Sequence, residues 1–234
     1  MRSGAGIAGW AKNSFIDFPG TVSTVLFFSG CNLACPYCHN PDIARASAGR
    51  GVILLRDVLD FLVKRKGRIE GVVLSGGEPT IHETIVETAN EIRALGLKIK
   101  LDTNGMLPEK IRELKPDYLA LDVKTAAANY PPLLKAPYKN VGERLAESIA
   151  IAKEMDENAE IRITIAQKIV DSKIIEAIGK MIAGVRKVYL QPMQTRVELL
   201  DPAYKETEKI PREEIERYRE TLLKFVEKCE IRSK

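Results

Sequence analysis

The stretch Val22-Ser23-Thr24-Val25-Leu26-Phe27-Phe28-Ser29-Gly30-Cys31-Asn32-Leu33-Ala34-Cys35-Pro36-Tyr37-Cys38 decides how the rest of the chain is read. Its opening, Val22 to Phe28, is an apolar run rich in β-branched and aromatic residues, of the length of a buried strand. The run feeds a loop that gathers three of the chain's four cysteines within eight residues. Outward from this point, hydrophobic period and turn residues predict helices and strands in strict alternation. A helix is expected from about Leu54 to Lys66, then a strand at Gly71 to Leu74 ending in Ser75-Gly76-Gly77-Glu78-Pro79. The next helix runs from about His82 to Leu95 and stops at Gly96, with Pro79 suited to its start. Strands follow at Lys98 to Thr103 and Tyr118 to Val123, separated by a short helix near Pro108 to Leu114. A Pro-rich stretch, Tyr130 to Tyr138, interrupts the rhythm. Beyond it come a helix from Gly142 to Met155, a strand from Glu160 to Ala166, a helix from about Ser172 to Ala183, a strand from Lys187 to Leu190, and a last helix from roughly Pro211 to Cys229.

Alternating strands and helices imply right-handed crossovers and a parallel sheet. Six strands are counted, whereas a complete eight-unit barrel takes about 250 residues. The 234 residues therefore read as an α/β fold, a partial (β/α)6 TIM-like barrel with parallel strands, open on one side. They are read as a single domain, 1–234, with short extensions at the N-terminus and at the C-terminus from about 193 to 234.

Hydrophobic residues make up 45% and charged residues 29%, which excludes collagen-like, disordered and membrane classes. No apolar run would span a bilayer, and Met1 to Gly9 lacks the hydrophobic core of a secretory signal, so a cytoplasmic location is expected. The net charge of +4 comes from interspersed Lys, Arg, Asp and Glu, and no nucleic-acid footprint is visible. The densest basic run, Lys64 to Arg68, closes a predicted helix, where cations complement the dipole.

Close thiols in such a chain mean a metal or redox site more often than a disulfide framework. Cys31, Cys35 and Cys38 follow a strand end, where ligands bind in parallel architectures. A four-iron cluster ordinarily takes four cysteines, so three would leave one iron without a protein ligand, as a catalytic metal requires. Three alternatives remain open: a structural zinc with His39 as fourth ligand, a redox pair of Cys35 and Cys38, and inert thiols. Adjacent residues such as Cys38 and His39 seldom converge on one ion, and His82 lies at a predicted helix start. Cys229 continues a helical stripe of Ile215, Tyr218, Leu222 and Phe225 and is assigned to packing.

Other polar groups gather at the same strand ends. Gly76-Gly77-Glu78 reads as a turn before a helix, or as a place where backbone and carboxylate meet an amino-acid zwitterion. Asp102-Thr103-Asn104-Gly105 and Asp122-Val123-Lys124 read singly as an Asn-Gly turn and a surface ion pair, but together they aim two carboxylates, a hydroxyl and an ammonium at one mouth.

The spacing Cys-x3-Cys-x2-Cys with Tyr37 before the third cysteine resembles the radical S-adenosylmethionine (SAM) signature. The likeness extends to Cys38-His39-Asn40-Pro41 and to Ser14-Phe15-Ile16-Asp17-Phe18-Pro19-Gly20, which look like the glycyl-radical-enzyme activases, above all the branch activating anaerobic ribonucleoside-triphosphate reductase. It covers roughly Lys12 to Gln194. The resemblance implies a 4Fe-4S cluster on Cys31, Cys35 and Cys38. It further implies SAM contacts at Tyr37, Asn40, Gly76, Gly77, Glu78, Thr103, Asp122, Lys124, Arg162 and Gln194, with Glu78 in the motif that holds the amino group. From similarity to pyruvate formate-lyase activase comes a monovalent cation near Asp102, Thr103 and Asp122. That activase has a nucleoside-contacting histidine where Gln194 stands and a glycine where Phe18 stands; the second departure points to the reductase-activating branch.

The activity so implied is reductive cleavage of SAM to a 5′-deoxyadenosyl radical that installs a glycyl radical on a partner enzyme, with the Tyr130 to Tyr138 loop, within 126–141, and the segment 193–210 as candidate docking loops. No further cysteine-rich insert is present, so an external low-potential reductant such as flavodoxin or ferredoxin is expected. Two other readings stand beside it: a 7-carboxy-7-deazaguanine synthase-like enzyme acting on a small heterocycle, and a zinc-stabilised interaction module without turnover.

Overall fold

The computed structural model describes residues 6–46, 53–207 and 209–232. Contacts gather these residues into two compact units, the first within Met1–Asn32, Asp42–Thr103 and Glu109–Leu119, the second within Leu33–Pro41, Asn104–Pro108 and Ala120–Lys234.

The first unit holds β1 (Ile7–Ser14), β2 (Ser23–Phe28), β3 (Gly71–Gly76) and β4 (Lys98–Thr103), with helices α1 (Pro41–Arg45), α2 (Leu55–Lys64), α3 (Ile85–Arg93) and α4 (Pro108–Leu114) at or between them. Strand β1 pairs antiparallel to β2, and β2, β3 and β4 lie parallel in chain order. Leu26, Val72, Leu74, Ile99 and Leu101 are sealed from solvent, as expected of strands covered on both faces. At the starting edge of the strands Phe18 packs with Val25, Val73 and Tyr118.

Strand β5 (Tyr118–Asp122) begins in the first unit and ends in the second. The second unit holds α5 (Val141–Met155), β6 (Ala159–Ile165), α6 (Ser172–Met181), β7 (Lys187–Pro192), α7 (Arg212–Leu222) and β8 (Lys228–Ile231), with β6, β7 and β8 parallel. Repeated strand–helix–parallel strand steps make this an α/β fold of the partial TIM-like barrel kind.

Eight strands are formed among the described residues, not the six counted in the sequence. The missed β1 mixes Gly9, Ala11, Lys12 and Asn13 and carries no clean period of two. What holds it is tertiary: Trp10 Nε1 donates to Thr24 Oγ1 at 2.7 Å, and its ring meets Phe61 edge-on at 4.9 Å. The missed β8 lies in what reads as the end of the last helix. No Gly or Pro interrupts residues 212–229, yet α7 stops at Leu222 and Cys229 sits opposite Val188 as a buried strand residue. Cys229 is a packing residue as expected, but not a helical one. The helix expected from His82 is shorter, α3 running from Ile85 to Arg93, and Pro79 starts a separate 3-10 turn at Pro79–Ile81 instead of this helix.

Candidate active site

In the first unit the end of β3 is pressed against the chain that leads to Cys31. Gly77 N–H donates to Phe28 O and Glu78 N–H to Gly30 O, both at 2.9 Å. A Cβ on Gly77 would fall 1.8 Å from Gly30 O, and one on Gly76, whose φ is +119°, would fall 2.3 Å from Phe28 N. Both glycines are thus required by backbone approach beneath the cysteine loop. Gly77→Ala is expected to cost about 2 kcal/mol, since backbone atoms cannot swing aside, and to lower iron retention at Cys31. Chemical denaturation and metal analysis check it, with Gly142→Ala, where the nearest atom is 3.8 Å away, as a neutral comparison.

Glu78 is buried and caps the 3-10 turn: its Oε1 accepts from Thr80 N at 3.1 Å, Thr80 Oγ1 at 2.6 Å and Thr103 Oγ1 at 2.7 Å. Asp102, at the end of β4, accepts from Ser75 Oγ at 3.2 Å and pairs with Lys100 Nζ at 2.5 Å. Lys100 was not singled out in the sequence, although its place two residues before Asp102 on a strand puts both on one face.

In the second unit the loop carrying Cys35 and Cys38 is tied down by its backbone. Cys38 N–H donates to Cys35 O at 3.0 Å, and Ala34 N–H donates to Leu133 O at 2.7 Å. Cys38 O and Pro36 O accept from Leu200 N–H and Asp201 N–H, each at 3.0 Å. Burial pushes the Cys35 thiol up, with the Lys124 ammonium pulling against it. Tyr37 is only 3% exposed, and its hydroxyl lies close enough to Cys35 for the two to perturb each other, yet it has no hydrogen bond of ordinary geometry.

Asp122 holds Arg162 through Nε at 2.8 Å and Nη2 at 3.1 Å, and Lys124 Nζ at 3.2 Å. Burial pushes its carboxyl up, but Arg162 and then Lys124 outweigh it and leave the group below the ordinary carboxylate range. Lys124 is raised in turn: burial opposes its charge, and Asp122 more than compensates. The Lys124 N–H also donates to Tyr130 Oη at 3.0 Å, which ties the Pro-rich stretch to the end of β5.

Asn40 and Gln194 meet in one cleft of about 250 Å3 with His39, Thr164, Gln191, Pro192, Val197 and Arg232. Sequence reading missed Thr164, Gln191 and Arg232. Thr164 was within reach, because it alternates with Arg162 along β6. Arg232 was not: only the pairing of β8 brings it to Glu160, at 3.3 Å, and over the Tyr189 ring, at 3.7 Å.

The fit of the expected groups differs. Three thiols within eight residues, with a buried hydroxyl beside one of them that makes no hydrogen bond of ordinary geometry, suit an iron–sulfur cluster, whose sulfurs accept hydrogen bonds. Among the described residues no three His, Cys, Asp or Glu side chains close on one point as a single-ion site would need. A cluster, which takes each thiolate on its own iron, makes no such demand. His82 Nε2 is engaged with Ser29 O at 2.8 Å, and Asn104 Oδ1 accepts from Met106 N at 3.0 Å, so both have local structural duties. The monovalent cation fits poorly, because Asp102 and Asp122 each already carry cationic groups of the chain.

The chain resembles several known proteins. Over 97% of its length the chain is 29% identical to a Methanocaldococcus jannaschii protein with the provisional name glycyl-radical enzyme activating enzyme, 95% of which is covered. It is 31% identical to the 7-carboxy-7-deazaguanine synthase of Rhodopirellula baltica, over 80% of this chain and 72% of that one. With the pyruvate formate-lyase-activating enzyme of Clostridium pasteurianum it shares 28% identity, over 89% and 94% of the two chains. Among solved structures, Streptococcus suis SuiB bound to its precursor peptide SuiA shares the fold with a TM-score of 0.64 at 15% identity, covering 89% of this chain and 48% of that one. Residues 25–181, from the middle of β2 to the end of α6 and including all three loop cysteines, match the Radical SAM superfamily, and the chain belongs to that family of enzymes.

Proposed function

We propose that the chain cleaves SAM reductively and passes the radical to a glycine of a partner enzyme. The observation that carries the reading is the set of three thiols within eight residues, with the buried Tyr37 hydroxyl beside Cys35. Cys31, Cys35 and Cys38 would each hold one iron of a 4Fe-4S cluster. When bound, that cluster supplies one electron to the sulfonium of SAM, giving methionine and a 5′-deoxyadenosyl radical, which leaves as 5′-deoxyadenosine on taking a hydrogen atom from the partner's glycine.

The chain's own work is positioning. Gly76, Gly77, Glu78 and Thr103 form a rigid edge for the methionine amino group. Lys124, held by Asp122 beside Arg162, presents a fixed ammonium to its carboxylate. Asn40 and Gln194 offer amide groups to the nucleoside from a shared cleft, with Gln194 in place of a histidine. Tyr37 is placed to donate to a Cys35 thiolate. Tyr37→Phe is expected to lower the cluster's midpoint potential by tens of millivolts, because a donated hydrogen bond favours the more negative, reduced state. Spectroelectrochemical titration at unchanged iron content checks it.

Likeness to relatives named as activating enzymes over nearly their whole length supports a glycyl radical enzyme as substrate, anaerobic ribonucleotide reductase among the candidates. The loops 126–141 and 193–210 are the proposed docking segments, and a flavodoxin or ferredoxin the proposed donor. We read residues 1–234 as one radical SAM core with short extensions, working in the cytoplasm; no helix among the described residues is long and apolar enough to cross a membrane.

The deazaguanine synthase likeness supports a second reading, a small heterocycle as substrate. Anaerobic incubation of the reconstituted protein with SAM, dithionite and candidate glycyl radical enzymes separates the two. A glycyl signal in electron paramagnetic resonance, matched by deoxyadenosine, is the expected result. Deoxyadenosine formed only with a small heterocycle would transfer the reading to the second, and none under any condition would sink both.

A further inference from the structure

We infer that the Lys100 ammonium is a built-in counter-ion that takes the place of a metal cation at Asp102. The inference rests on the proposed reading only for the position of Asp102 near the cofactor. Lys100 and Asp102 stand one pleat apart on the same face of β4, and their side chains are 3% and 14% exposed. Nζ meets Oδ1 at 2.5 Å, and Oδ2 accepts from Ser75 Oγ at 3.2 Å. The ammonium also lies 6.0 Å from the centre of the Tyr118 ring, whose face favours a cation. A lysine so deeply placed needs a partner for its charge, and Asp102 is the carboxylate the structure gives it.

A monovalent metal ion would have to share Asp102 with that ammonium. Such ions are held by oxygen ligands, and both carboxylate oxygens of Asp102 are already engaged, Oδ1 by the Lys100 ammonium and Oδ2 by Ser75 Oγ. Thr103 does not restore the balance, because adjacent strand residues point to opposite faces and its hydroxyl donates to Glu78. In the second unit Asp122 is likewise matched, by Arg162 and Lys124. The chain therefore neutralises both carboxylates of the expected cation set with its own side chains.

The test reads ion binding and needs no turnover, so it fails or succeeds independently of the radical chemistry. Purified protein is moved into choline chloride, and the unfolding temperature and 23Na line width are followed as sodium or potassium replaces choline at constant ionic strength. The wild type is expected to show no saturable, ion-specific change, while Lys100→Met gains a saturable stabilisation by one of the two metal ions. A saturable ion-specific response in the wild type that disappears in Asp102→Asn would overturn the inference. So would a folded Lys100→Met that responds to choline, sodium and potassium alike. If Lys100→Met does not fold in choline, its recovery by sodium or potassium on refolding supports the assignment, and its failure with both ions counts against it.

Discussion

Cys35→Ala is expected to abolish deoxyadenosine formation and to drop bound iron from about four per chain to background, whereas Cys229→Ala keeps both. The contrast follows from two environments of one residue type. Cys35 stands on a loop with Cys38 and beside the buried hydroxyl of Tyr37, and on the proposed function removing its thiol would take away one of three anchors of the cluster. Cys229 is a buried residue of β8 paired with Val188 of β7, and burial pushes its thiol up to about 12, which leaves it a small apolar group at neutral pH. Cys31→Ala and Cys38→Ala should match Cys35→Ala. Iron analysis, visible absorption and product chromatography decide the matter, and a Cys35→Ala protein that still makes deoxyadenosine would end the cluster assignment.

Asp122→Asn is expected to destabilise the fold by about 3 kcal/mol at neutral pH, near the lower end for a broken buried ion pair because the side chains remain partly accessible. The substitution leaves Arg162 and Lys124 facing each other without a negative charge. Because the folded carboxyl lies below its ordinary value, the wild-type contribution is present in full above about pH 4 and is lost as pH falls through the lower folded value. Denaturant titrations from pH 7 down to pH 3 should therefore show the gap between the two proteins narrowing toward the acid end. A gap that stays constant, or widens, would mean that Asp122 is not ionised between its two partners.

How far the sequence could be read depended on whether local pattern and tertiary pairing agreed. Lys98–Thr103 and Pro108–Leu114 end where expected because apolar period, turn residues and Pro108 all point the same way. They disagree at 223–231, where nothing local breaks a helix and the demand of β7 for a neighbouring strand prevails. The thiol loop was legible because its chemistry lies in spacing. Asp122 and Lys124 were legible as types, but the grip of Asp122 on Arg162 depends on β5 and β6 lying side by side, as Val123 N–H donating to Arg162 O at 3.0 Å records. Lys100 escaped notice for another reason: a lysine amid apolar residues reads as an exposed edge until its burial is known.

Two backbone hydrogen bonds, from Leu200 N–H to Cys38 O and from Asp201 N–H to Pro36 O, tie the segment 193–210 to the loop of Cys35 and Cys38. A protein that leaned on this segment would pull on the same backbone that carries the Cys35 and Cys38 thiols. On the proposed function, arrival of a visitor would then be felt at the cluster as a change in spectrum or potential before any hydrogen atom moves, and the most oxidising species would be held in reserve until a target is seated.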